Sequence, residues 1–213
     1  MDVSYLHTGR TNQKARTRDA LIAAARQLLA RGATPTVEAA ATEASVGRTT
    51  AYRYFPNSRT LLAATFPEIE MTSLLGADAP EDPLARLESV AEALTRRCME
   101  YEPEYRAQLL LALEGESADG ERLPLRRGRQ IGWIEDALSP LKGRIPEPEL
   151  QRLVLGIGAT LGIEAFVWLT DIAGLSREEA AEVMRSNART LVRSALEPLE
   201  SSEERAAIRL AWR

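Results

Sequence analysis

Apolar residues recur at helical spacing along most of this chain, and turn-forming residues cut the pattern into pieces. Leu21, Ile22, Ala25, Leu28 and Leu29 share one face of a helix predicted from Thr17 to Arg31. Thr17 is placed to cap its start, and Gly32, which tolerates a positive φ, to end it. Residues 1–15 read as irregular. Thr36 is the expected N-cap of a short helix reaching about Ala44. Gly47 opens another, which stops near Phe55 because Pro56 disfavours helical geometry in the residue before it. Asn57 or Ser58 caps a fourth helix starting at Arg59.

Beyond residue 60 the helical pattern continues. Pro67 should kink or break the fourth helix. Asp82 and Pro83 form an N-cap and a first-turn proline for a helix to about Tyr101. A further helix runs from about Glu104 to Glu114, and the glycine-rich, charged stretch Gly115–Gly120 reads as a loop. Helices follow over Arg126–Leu141, Glu147–Ile172 and Arg177–Leu196, the last opened by a Ser176/Glu179 capping box. Glu203–Trp212 is expected to add a short terminal helix. No strand-like alternation, hairpin turn or fixed-period repeat is present, so the predicted fold class is all-α.

Composition narrows the setting. The 213 residues suffice for one larger domain, or a small one joined to a medium one. A hydrophobic share of 45% and a charged share of 27% are those of a globular protein. The single cysteine, Cys98, excludes an intrachain disulfide, points to a reduced compartment and reads as an inert buried thiol. The N-terminus lacks an apolar signal core. The longest nearly apolar run, Leu153–Leu169, is short for a membrane span and carries Glu164 and three glycines. A cytoplasmic protein with a buried helix there is the expectation.

Net charge is −4, which alone argues against nucleic acid. Its distribution reverses that impression. Residues 1–60 hold nine Lys/Arg against four Asp/Glu, and the remainder holds 18 against 27. A basic head on an acidic body concentrates phosphate attraction in one place.

The head also holds the densest chemistry, in TVEAAATEASVGRTTAYRYFPNSRTLL from Thr36 to Leu62. Two short helices meeting across a turn let one brace on the duplex backbone while the other enters the major groove. Small residues are needed where they touch, and Ala40, Ala41, Ala44 and Ala51 supply them; Ser45–Val46–Gly47 supplies the reversal. Arg48 and Arg53 offer paired donors to guanine O6 and N7, and the threonines suit hydrogen bonds or a thymine methyl. Tyr52, Tyr54 and the start of the fourth helix suit phosphate oxygens, while Phe55 reads as a core residue.

The stretch from about Thr17 to Ala64, with its exit Tyr52–Arg53–Tyr54–Phe55, resembles the DNA-binding domain of the TetR (tetracycline-repressor-like) family of bacterial regulators. The segment Gly162–Leu196 resembles, more weakly, the last two helices of some members. The resemblance implies an N-terminal helix-turn-helix domain over residues 1–60 and a helical effector-binding and dimerisation domain over 61–213. It implies that Arg48, Thr49, Thr50 and Arg53, opened by Gly47, face bases. Thr36, Tyr52, Tyr54, Ser58 and Arg59 would lie at the phosphates. Lys14, Arg16 and Arg18 would reach the backbone or the adjacent minor groove. This chain departs from the family pattern in two places: Ser45 stands at the usual turn glycine, and Ser58, followed by Arg59, at the usual lysine.

In the acidic body the run LVLGIGATLGIEAFVWL is apolar almost all round, and an acid within it, Glu164, needs partners if buried. Gly158 and Gly162 leave room for another backbone, and Ala180, Val183, Met184, Asn187 and Leu191 share a face of the following helix. Two such helices from each of two chains would make a four-helix dimer interface, the family's usual one. Leu62, Phe66, Leu87, Leu94, Leu110, Trp133, Leu161 and Phe166 are candidates to line a pocket for a small-molecule effector. Against an enzyme, the one histidine is His7, and no metal cluster, phosphate-cradling loop or nucleophile elbow is present. Asp171, Glu164 and Glu135 are acids without a fixed separation. No cofactor is expected. The expected function is a dimeric, ligand-responsive DNA-binding repressor. The competing readings are a small-molecule-binding adaptor, or an enzyme, with a non-functional DNA-binding head.

Overall fold

The computed structural model describes residues 3–66, 72–113 and 129–211, with side chains placed over 12–66, 72–113 and 129–197. Among the described residues the regular elements are all helices, and one isolated bridge pairs Lys142 with Ile145. The chain divides into two compact units, Met1–Glu68 with Tyr101–Leu125, and Ile69–Glu100 with Arg126–Arg213.

The first unit contains α1 (Val3–Ala30), α2 (Val37–Glu43), α3 (Arg48–Tyr54), α4 (Ser58–Thr65) and α6 (Glu102–Leu113). Residues 1–15, expected to be irregular, are helical from Val3 onward. Thr17 is accordingly no cap: its hydroxyl donates to the Gln13 carbonyl at 3.0 Å, one turn back inside the helix. A threonine satisfied within a helix looks, in sequence, like one placed to begin it. Gly32 does end α1. It takes φ 76°, and the amides of Gly32 and Ala33 donate to the carbonyls of Leu29 and Leu28. That is the reversal in which two orphan carbonyls are satisfied by residues just past the helix.

Helices α2 and α3 have seven residues each, too few to persist alone, since isolated helices shorter than about 12–15 residues are marginal in water. Burial holds them. Leu21, Ala25, Val37, Ala40, Ala41, Ala51, Phe55 and Leu61 form one core in which small residues let the backbones approach. The caps agree with the sequence: Thr36 accepts from the Ala39 amide at 3.1 Å, and Asn57, rather than Ser58, caps α4 by accepting from Thr60 at 2.9 Å. Arg26 reaches the last carbonyl of α4, Thr65, at 2.8 Å. Leu62 packs with Ala107 and Leu111 of α6, and Phe66 meets Tyr105 edge-on at 5.1 Å.

The second unit contains α5 (Pro83–Glu100), α7 (Arg129–Ala137), a 3₁₀ turn (Ser139–Leu141), α8 (Glu147–Thr160), α9 (Ile163–Val167) and α10 (Arg177–Ala211). Asp82 caps α5 by accepting from Ala85 at 2.8 Å. The stripe Leu87, Val90, Ala91, Leu94 and Cys98 buries its inner face. Arg86 ties α5 to α7 through the carbonyls of Asp136 at 2.9 Å and Ala137 at 3.1 Å. α10 packs on α5 and α8, burying Ala180, Ala181, Met184, Ala188 and Val192. Its capping box closes as expected. The Ser176 amide donates to Glu179 Oε2 at 2.9 Å, and the Ser176 hydroxyl, then that amide, hold the Glu179 carboxyl below the usual carboxylate range.

Three helix expectations here need correction. Glu147–Ile172 is not one helix: it breaks at Leu161–Gly162, and α9 passes into a π turn at Trp168–Ile172. Gly162 is the extended N-cap of α9, and a side chain at this position would meet the Glu164 carboxylate. The separate helix at Glu203–Trp212 is instead the continuation, to Ala211, of one 35-residue α10. The helix predicted over Arg126–Leu141 begins, among described residues, at Arg129 and ends at Ala137 before the 3₁₀ turn. The expectations at Pro67 and Gly115–Gly120 lie outside the described residues.

Candidate nucleic-acid interface

The reversal between α2 and α3 is made in an unusual way. Ser45 adopts φ 55°, and it is the one non-glycine residue with positive φ among those described. Its amide donates to Thr42 and that of Val46 to Ala41, at 3.1 and 2.8 Å. This is the hydrogen-bond pattern that Gly32 makes after α1, here built on a serine. Val46 folds back onto the core beside the helix it leaves. Gly47 then caps α3 in extended geometry, with open space where a side chain would stand.

The turn fixes which side of α3 faces outward. Ala51 and Phe55 are buried, and Arg48, Thr49 and Arg53 are exposed, with Thr50, Tyr52 and Tyr54 half-buried at the flanks. Arg53 lies over the Tyr54 ring at 5.8 Å, and Arg18 of α1 over the Phe55 ring at 5.8 Å. Lys14, Arg16 and Arg18 are exposed along α1, and of the three only Lys14 falls in the stretch expected to be irregular. Thr36 is exposed, and Ser58 and Arg59 are half-buried in the first turn of α4.

One residue that sequence reasoning missed stands in the middle of this set. Glu38, in the first turn of α2, accepts from Arg48 Nη2 at 2.9 Å. The same oxygen, Oε1, accepts the Tyr52 hydroxyl. The Arg48 guanidinium also lies 5.7 Å from the centre of the Tyr52 ring. The Tyr52 hydroxyl, the Glu38 amide and Arg48 hold the Glu38 carboxyl below the usual carboxylate range. Donation to that carboxylate pushes the Tyr52 hydroxyl above the usual tyrosine range. In sequence, Glu38 is 10 residues from Arg48 and 14 from Tyr52, and only the helix-turn-helix brings them together. The available signal was an acid just inside an N-cap, facing a helix that begins with arginine.

The candidate effector residues separate by unit. In the first, Leu62 is buried, Phe66 is half-buried and Leu110 stands exposed on α6. In the second, Leu87, Leu94, Trp133, Leu161 and Phe166 are buried in the core. A cavity of about 20 Å³, near the size of one water, touches Leu87, Glu88, Ala91, Arg185, Ala188 and Arg189.

Of the candidate dimer residues, Ala180 and Met184 are buried within the chain, Val183 is half-buried, and Asn187 and Leu191 are exposed. Gly158 packs near Ile134, and the space beside Gly162 is taken by the Glu164 carboxylate. Glu164 itself is exposed, so it carries no burial cost. Leu155 of α8 and Leu191 of α10 are large apolar residues left open to solvent. Among the described residues no group of three His, Cys, Asp or Glu is placed to hold a metal. No single described helix is long and apolar enough to cross a membrane. The bent pair Glu147–Thr160 and Ile163–Ile172 passes by length and composition only, and it buries Leu150, Val154, Ile157, Ile163 and Phe166 in its own unit.

The chain is similar to a TetR-family transcriptional regulator from Streptomyces coelicolor of known crystal structure. The two share 22% identity over 86% of this chain and 99% of that one, with a TM-score of 0.47. No protein-family model and no curated protein matches the sequence.

Proposed function

We propose that this chain is a DNA-binding transcriptional regulator, a ligand-responsive repressor that grips a palindromic operator as a homodimer. Residues 1–60 read DNA, and residues 61–213 bind the effector and pair the two copies. The observation that carries the reading is the outward face of α3. Thr49 and Arg53 are exposed on the side of the helix turned away from the buried Ala51, Arg48 is exposed in its first turn, and the helix ends at the buried Phe55. A helix of this kind enters a major groove with its N-terminal residues at the base edges, as α3 would with Arg48 and Thr49. Exposed Lys14, Arg16 and Arg18 add phosphate attraction on the same unit.

Pairing is supported by the second unit. Val183, Asn187 and Leu191 follow one side of α10, and Leu191 Cδ1 lies 3.9 Å from where a Cβ on Gly156 of α8 would stand. A second copy seated on this face would cover Leu155 and Leu191. A twofold dimer presents two reading helices at the roughly 34–36 Å spacing of one duplex turn. An effector then acts through its differential affinity for spacings that do and do not fit DNA.

The test is a mobility-shift titration of the full chain against DNA flanking its own coding sequence, with the oligomeric state read by light scattering. A specific complex of dimer stoichiometry is expected. Arg48→Ala should weaken it by about 1–3 kcal/mol. Absence of any specific complex at moderate salt would overturn the reading.

A further inference from the structure

The geometry points to Glu38 as a specificity-determining residue that aims Arg48 and restrains its attraction to phosphate, with Tyr52 as the strut that holds Glu38 in place. The inference rests on the DNA-reading function proposed above and changes the role of two residues within it. Tyr52 was expected to donate to a phosphate. A phosphate oxygen only accepts, and the one proton of the Tyr52 hydroxyl is already given to Glu38 Oε1. Moving it would break a hydrogen bond to a charged acceptor and bring a phosphate towards a carboxylate, and each of these opposes that contact.

Arg48 is in the opposite situation. Its side chain is 72% exposed, and of its five donors Glu38 engages Nη2, at 2.9 Å. A free arginine loses much rotamer freedom when it pairs with a base. Here the carboxylate on one side and the Tyr52 ring, at 5.7 Å, restrict the guanidinium before any DNA arrives. The same carboxylate offsets the arginine's charge. Phosphates, which are the same at every sequence, then gain little from it, whereas a correctly placed guanine still gains its hydrogen bonds.

The experiment selects duplexes from a randomised pool with the full-length wild-type protein. Affinity for the winner and for a scrambled duplex is then measured across a salt series for wild type, Glu38→Gln and Tyr52→Phe. Thermal melts confirm that each variant is folded. For Glu38→Gln the preference for the selected duplex should fall roughly tenfold. Binding to the scrambled duplex should tighten, and the slope of log affinity on log salt should steepen by about 0.9, as if one more cation met phosphate. Tyr52→Phe should lose preference in the same direction, because the strut is gone while the ring remains. Unchanged preference and slope in Glu38→Gln would overturn the inference, as would an equal loss of affinity by Tyr52→Phe on both duplexes. A wild-type protein that enriches no sequence would instead remove the DNA-reading function itself.

Discussion

Arg48 in the first unit and Arg86 in the second each meet a carboxylate, yet their surroundings give them opposite work. Arg86 keeps 15% of its side chain exposed and gives its donors to the carbonyls of Asp136 and Ala137 and, at 3.4 Å, to the Asp136 carboxylate. It is a tie between two helices. Arg48 is 72% exposed and turned outward, held by Glu38 on one side. Ion pairing alone does not separate a cation spent on structure from one left open to a partner, because exposed pairs contribute only about 0–1 kcal/mol. What separates them is whether the donors are consumed inside the unit.

The sharpest way to break that contrast is to remove what supports the exposed face of α3. Phe55→Ala deletes a ring that is 4% exposed and anchors the end of α3 in the core. It should cost about 3–5 kcal/mol in chemical denaturation and abolish any DNA complex. A cost below about 1 kcal/mol would show that the outward face of α3 does not depend on this core.

Next in size is Arg86→Ala, which strands the carbonyls of Asp136 and Ala137. A loss of about 1.5–3 kcal/mol is expected in the same denaturation assay, the range for hydrogen bonds to charged groups. If Arg86 were as dispensable as an exposed cation, no shift would be seen.

The smallest effect sharpens the comparison at the turn. Ser45 sits at φ 55°, where a side chain is disfavoured, and Gly32 makes the same reversal without one. Ser45→Gly should raise the melting temperature, by relief of about 0.5–1 kcal/mol. A lower melting temperature would mean that the greater freedom of glycine in the unfolded chain outweighs the relief.

Much of the head was legible in the sequence. Pro56, Thr36, Gly32 and the alanines act locally, within a few residues of the structure they set, so the helix boundaries from Thr36 to Phe55 were readable in advance. The start of α1 was not, because nothing in residues 3–16 separates a polar helix from an irregular tail by periodicity alone. The body was read less well. The apolar run through Leu153–Leu169 hid the break at Gly162, since a continuous hydrophobic pattern looks the same on either side of a bend. Ala180 and Met184, candidates for a dimer face by helical spacing, are buried against their own chain. Spacing says that residues share a face, but not which neighbour covers it.

By itself the sequence determined an all-helical chain, a charge divided between a basic beginning and an acidic remainder, and a turn at Ser45–Gly47 that puts Arg48 at the start of a helix. Those follow from local sterics, capping and composition, all short-range. The tertiary structure decided that Glu38 would claim the Tyr52 hydroxyl and one arm of Arg48. That pairing depends on two helices crossing at a particular angle, and no local preference of either helix encodes it.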